Sequence, residues 1–245
     1  MVVYVVISTC LRDEVSCKCL IECVEHAQRY YKHILIIDDT PIDGIDIYQL
    51  RLHSKVKIIK NEFSKSGEIT RIWYFWKYAK SGDYGILIHD STFLNAELPI
   101  LKYDFVPLFS FKHDWDDTEH EKEFLEDYPE LLQRYNNKKS WYGAFGVQYE
   151  LTWDFVNNVM KQYQELFEEL LEKVKTRSLR SCMERVIQVI FLEVSDNTIE
   201  SMYGTIQNYT RHYFGTLWGV SYEDFEKKRK TIDPKIPIIK VWVGR

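Results

Sequence analysis

Short continuous apolar runs closed by polar turns alternate along this chain with stretches whose apolar residues recur every three or four positions. VVYVVIST at 2–9, ILIID at 34–38 and GILIH at 85–89 are runs of the first kind, the pattern of strands buried on both faces under covering helices. KVKIIKNEF at 55–63 alternates loosely and predicts a further strand. Between them, residues 14–31 place Leu20, Val24 and Ala27 at helical spacing. SGEITRIWYFWKYAKSGDY at 66–84 predicts a helix opened by Ser66 as N-cap, with Glu68 in its first turn, and closed at Ser81-Gly82. Strand, helix, strand, strand, helix, strand with short connections predicts an α/β fold, a mostly parallel central sheet flanked by helices.

The second half reads less regularly. Residues 105–112 predict one more strand, 114–140 a charged segment whose first part is mostly solvated helix or loop, and WYGAFGVQYELT at 141–152 a strand-like aromatic run interrupted by Gly143 and Gly146. Glycines inside a strand mark a bulge or a close approach. An amphipathic helix over 152–174 carries Phe155, Val159, Tyr163, Leu166, Leu170 and Val174; SCMERVIQVIFLEV predicts a buried helix starting near Ser181, and the last residues an extended strand or tail. No repeat or low-complexity linker divides the chain, so a single domain is expected over 1–245, with 1–112 as one half and 113–245 as the other.

Composition adds exclusions. At 245 residues with 45% hydrophobic content there is ample material for a packed core, and a net charge of -5 gives no general attraction to nucleic acid. Four of the five cysteines, 10, 17, 19 and 23, crowd a strand end and a helix without a second metal-ligand pair at matching distance. The odd total of five cysteines, and an apolar start too short to span a bilayer and lacking a basic leader, predict reduced thiols, a cytoplasmic location and no membrane span.

Chemistry gathers at strand ends. Asp38-Asp39 close one apolar run and His89-Asp90-Ser91 another. In a parallel sheet such exits share one edge, where open α/β folds bind ligands. Carboxylates there suit Mg²⁺ or Mn²⁺ bridging a nucleotide diphosphate; equally, each acid alone can serve as a turn or helix cap.

YVVISTCLRDE, ILIIDDTPIDG, KSGEITRIWYFWKYA and ILIHDSTFL together resemble the nucleotide-binding half of GT-A (Rossmann-like) glycosyltransferases. The order of the HDS, WYGxFG and MERV segments is also similar to glycosyltransferases encoded by large DNA viruses, over residues 1–215. The resemblance implies transfer of a sugar from a nucleotide diphosphate sugar to a glycan acceptor hydroxyl, with Mn²⁺ or Mg²⁺ assisting. It places Thr9, Asp38 and Asp39 beside the nucleoside, and His89-Asp90-Ser91 where the family carries its Asp-x-Asp metal motif, with one carboxylate instead of two. His212 is implied as a further metal ligand beside Asp90. Glu184, read here as lying in the first turn of its helix, is implied as general base; a helix-capping role fits that position as well.

Trp141, Tyr142 and Gly143, with Phe145, would contact the sugar by ring faces and backbone, or else pack in the core. Lys65 and Arg71 would meet phosphates, or else stand as plain surface charges. Two rivals stay open: a nucleotidyltransferase, for which STCLRDE lacks the glycine-rich phosphate loop, and a GT-A-like binding module without catalysis. No GxGxxG follows the first strand, which argues against a dinucleotide oxidoreductase.

Overall fold

The computed structural model describes residues 1–41, 56–101, 103–195 and 199–242. The turn expected through Pro41 and Gly44 therefore leaves the described residues at Pro41. Strand β1 (Val3–Thr9) is followed by helix α1 (Glu14–Tyr30), β2 (His33–Asp38), β3 (Val56–Lys60), α2 (Thr70–Tyr78) and β4 (Tyr84–His89). β1 pairs in parallel with β2 on one side and β4 on the other, and β3 extends the β2 side. Beyond β4 the sheet continues with β9 (Tyr149–Thr152), antiparallel, and then β6 (Phe105–Pro107), giving the order β3-β2-β1-β4-β9-β6 among the described residues.

The continuous apolar runs are buried on both faces because two helical layers cover the sheet. Val5, Ile7, Ile34, Ile36, Ile86 and Ile88 pack with α1 and, from the C-terminal region, with α7 (Ile206–Phe214) and α8 (Tyr222–Lys228). Their alternating neighbours Val6, Leu35, Ile37 and Leu87 pack with α2, α5 (Trp153–Lys173) and α6 (Arg177–Val194). Each such side chain contributes about 1.5–3 kcal/mol by leaving water. Sequence alternation thus sorts one strand's residues into two cores.

Several expected elements differ. α2 starts only at Thr70, after a tight 3₁₀ turn at Gly67–Ile69, and stops at Tyr78. Ser66 does not cap it: its hydroxyl is committed to the Leu171 carbonyl at 2.5 Å, across the packed face of α5. The single strand expected at 105–112 is broken into β6 and β7 (Ser110–Phe111), which leaves the main sheet to pair with β8 (Gly143–Ala144). The aromatic run 141–152 likewise splits into β8, a tight turn and β9.

The segment 114–140 holds α3 (Thr118–Glu123) and α4 (Pro129–Asn136), and it is not simply solvated. Glu121 is fully buried, and Asp116 and Glu121 both clasp Arg185 of α6, at 2.5 and 3.3 Å. The Tyr135 hydroxyl donates to Glu121 and the Lys138 ammonium to Asp116. Burial pushes the Asp116 carboxyl up, but hydrogen bonds from His113 and Lys138 and the charge of Arg185 hold it well below the usual range.

The extended tail forms β10 (Ile238–Lys240), antiparallel to β5 (Thr92–Leu94), just after the β4 exit. All five cysteines are free thiols. Among the described residues no helix is long and apolar enough to cross a membrane.

Candidate active site

Strand order reverses between β1 and β4: the chain builds outward from β1 to β2 and β3, then crosses back to add β4 on the other side. Open parallel sheets leave a crevice at the carboxyl ends of such a pair. Thr9 ends β1, and its hydroxyl donates to the Asp90 carboxylate at 2.8 Å, just past β4. The antiparallel β9 sets Tyr149 opposite Leu87, so the turn before it, 145–148, lies alongside His89. The His89 ring Nε2 is 2.9 Å from the Gly146 carbonyl, and the Gln148 side-chain oxygen accepts from the His89 N–H at 3.3 Å.

That turn is held in an uncommon backbone conformation. Gly146 has φ 63°, and a Cβ there would lie 2.9 Å from two ring atoms of His89, so any other residue would be strained and would have to displace that ring. Val147 follows at φ 52°, costly for a β-branched residue. On its other side Gly146 donates its N–H to the Glu184 carboxylate at 2.7 Å.

Glu184 does not lie in the first turn of its helix. α6 begins at Arg177 behind the Thr176 cap, which places Glu184 two turns in, so the helix-end field does not hold its charge. The carboxyl keeps part of its surface open, yet protein surrounds it closely enough that burial raises its pKa to about 7, against the opposing pull of Arg185 and the Gly146 N–H.

Arg71 is fully buried rather than a surface charge. It donates to the Gly146, Val147 and Glu68 carbonyls, while its Nη1 has no hydrogen-bond partner among the described residues. Burial pulls its pKa down to about 10, which still leaves it cationic at neutral pH, and Glu68, Asp90 and Glu184 are among the charges acting on it. Glu68, in the 3₁₀ turn, stands 3.9 Å from His89 and 3.7 Å from Arg180.

The nucleoside candidates divide. Asp38 is a buried staple: it accepts the Thr40 N–H at 2.9 Å and the Lys60 ammonium at 3.1 Å, tying the end of β2 to β3. Asp39 is half-open and takes the Lys65 N–H and the Asn61 amide, at 2.9 and 3.1 Å; burial raises its pKa against these bonds. Lys65 itself sits at φ 71° with an exposed side chain.

Trp141 is buried and its indole N–H is taken by the Arg134 carbonyl. Gly143 is a packing glycine, since a Cβ would fall 2.3 Å from the Phe111 ring. Tyr142 is exposed. The aromatic surface beside the turn joins the expected Phe145 to residues distant in sequence: Phe145 stacks on Trp218 at 6.0 Å, and Trp218 meets Trp115 at 5.4 Å and Trp242 at 6.4 Å.

Sequence reasoning missed Arg180, Glu68, Lys240 and this tryptophan row. Arg180 and Glu184 carry the legible signal of i, i+4 spacing on one helix. The others are joined only by tertiary contacts.

The cation set implied by the resemblance does not fit. Among the described residues no group of three His, Cys, Asp or Glu side chains is gathered that could hold a metal ion. Asp90 is 5% exposed with one oxygen taken by Thr9, the His89 ring lies against Gly146, and His212 is exposed on α7 with its ring against Tyr213.

No protein-family model matches the chain, and no curated protein sequence matches it. Solved structures with a similar chain path include the galactosyltransferase LgtC in complex with donor and acceptor sugar analogs, at 8% identity and TM-score 0.47, with 98% of this chain and 87% of that chain covered. Another is the WbbM bifunctional glycosyltransferase in its apo structure, at 14% identity and TM-score 0.44. There all of this chain is covered but only 46% of WbbM, so this chain spans less than half that protein's length. At such scores the likeness assigns no residue a role, and the site stands on its own geometry.

Proposed function

We infer that this protein is a glycosyltransferase that moves a sugar from a nucleotide diphosphate sugar to an acceptor hydroxyl. The observation that carries the reading is Glu184, a carboxyl with its pKa raised to about 7 beside the sheet edge where β1 and β4 part. A general base works best with a pKa near the operating pH. The segments that resemble GT-A enzymes supply this edge, and a nucleotide diphosphate suits a crevice that has Asp39 at one end and the cations Lys65 and Arg180 beside it.

In the proposed step the acceptor O–H gives its proton to the Glu184 carboxylate. The oxygen forms a bond to the anomeric carbon, and the bond from that carbon to the diphosphate oxygen breaks, the electron pair leaving with the nucleotide diphosphate. The Phe145, Trp218, Trp115 and Trp242 row, which starts one residue from the Glu184 hydrogen bond, offers ring faces to the C–H faces of a glycan acceptor.

The test is a thermal-shift panel of nucleoside diphosphates and their sugars, followed by an assay for slow hydrolysis of any sugar nucleotide that binds. A ligand at a hundred times its Kd adds about 2.7 kcal/mol to stability. One nucleotide family should raise the melting point and release diphosphate, and Glu184→Gln should keep the binding and lose the release. A panel without any response would overturn the reading, and binding without turnover would favour the catalytically silent module.

A further inference from the structure

The buried ammonium of Lys240 lies against the turn that would carry the metal in an Asp-x-Asp enzyme. Lys240 is 4% exposed, and its Nζ donates to the Ser91 hydroxyl at 2.8 Å and to the Val241 carbonyl at 3.1 Å, with the Ser91 carbonyl at 3.5 Å. Backbone contacts fix it there from three sides. The Val241 N–H donates to the Ser91 carbonyl at 2.9 Å, β10 pairs with β5, and the Lys240 carbonyl accepts from Val220 at 3.0 Å. Gly219, at φ 130°, admits that last contact, since a Cβ would lie 2.4 Å from the Lys240 oxygen.

Asp90 precedes Ser91, and below the same turn the Cys23 thiol, 3.3 Å from the Thr92 carbonyl, feels Asp90 and Lys240 with opposite sign. From the α2 side the buried Arg71 also acts on Asp90. Asp90 thus adjoins the residue that holds one buried ammonium, and the charge of a second buried cation, Arg71, is felt at the same turn. A divalent ion arriving at Asp90 would meet charge already neutralised, and an uncompensated like charge in the interior costs heavily.

Reachable positive charge lies further along the edge. Arg180, one helical turn before Glu184, bonds the Lys65 carbonyl at 3.2 Å and acts on Asp39. A guanidinium at such a place matches phosphate oxygens by its fork of donors.

We propose that this edge binds its nucleotide diphosphate without a divalent cation, Lys240 cancelling the charge of Asp90 through the Asp90–Ser91 turn and Arg180 meeting the diphosphate. The proposal rests on the glycosyltransferase reading and deepens it.

The experiment is calorimetric titration of uridine, guanosine, cytidine and adenosine diphosphates into the full chain, in EDTA and in Mn²⁺, for wild type, Lys240→Met and Arg180→Gln. Wild type should bind one of them equally well, within about twofold, in both buffers. Lys240→Met should weaken binding in EDTA at least tenfold, because the charge of Asp90 then meets the diphosphate uncompensated. Arg180→Gln, a change at a partly exposed side chain, should weaken binding about tenfold in both buffers. Wild-type binding that requires Mn²⁺ would overturn the proposal while leaving the glycosyltransferase reading intact, and so would unchanged metal-free binding in either variant. Absence of binding by all four nucleotides in both buffers would remove the donor site itself.

Discussion

At Glu184 the chemistry is a matter of surroundings. The sequence marks an acid near an apolar helix, and a helix-end location would favour the ionised form. Two turns in, surrounded by protein, the carboxyl instead holds its proton up to about pH 7. Activity carried by this base should therefore rise with pH through about 7 and level off above it, in a pH profile of sugar nucleotide turnover. A flat profile between 5 and 8 would sink the assignment. Stability moves the other way. The folded state binds this proton more tightly than the unfolded chain, whose ordinary value is 4.5, so stability falls as pH rises from there to about 7. Glu184→Gln removes the cost: it should melt higher than wild type at pH 8, by about 1–3 kcal/mol after discounting for partial exposure, and match it at pH 4. Turnover should drop about 10²–10⁴-fold in the same variant.

Among elements, α6 joins three functions on one rod. Arg180 faces Asp39 and Lys65, Glu184 faces the Gly146 turn, and Arg185 is clasped by Asp116 and Glu121 from the 113–121 segment. The clasp fixes the rotation of the helix, so it sets where Glu184 points. Arg185→Met would take the guanidinium from two carboxylates that keep His113 and Lys138, at Asp116, and Tyr135, at Glu121. Breaking such a pair costs about 3–5 kcal/mol, which chemical denaturation would measure. A loss below about 1 kcal/mol would mean the cluster is relaxed by water. The first part of the charged segment 114–140 reads as solvated because charge along a sequence does not reveal its partner, and Arg185 lies 64 or more positions away from Asp116 and Glu121.

On the scale of the molecule, the first and last strands among the described residues meet at one edge. β1 supplies Thr9, and β10, the last strand among the described residues, supplies Lys240 beneath the turn after β4. Ile238 and Ile239 are buried in the α1-side core with Phe93, which makes the tail part of the fold. Truncation after Lys235 should lower the melting temperature by several degrees, as expected for a loss of about 2–4 kcal/mol of buried apolar surface. It should also abolish nucleotide binding, because the Ser91 turn loses the Val241 and Lys240 contacts. A truncated chain that melts and binds like the full one would show the tail to be dispensable.

The sequence by itself determined the parallel core of the sheet, α1 and α5, and the placing of Asp38-Asp39 and His89-Asp90 at the ends of parallel strands, because continuous apolar runs and helical spacing are local signals. It could not separate Asp38 the staple from Asp39 the open acid, since two neighbouring strand-end acids look alike until Thr40 and Lys60 are in place. Nor did it reveal that Arg71 is buried, choose between core and sugar contact for Trp141, or show that the half-buried Trp218 meets the exposed Trp115. Only the tertiary structure decided those, and with them the charge state of the site. A pKa or a counter-ion depends on which groups come within a few ångströms, and Lys240 reaches Ser91 across 149 positions of chain.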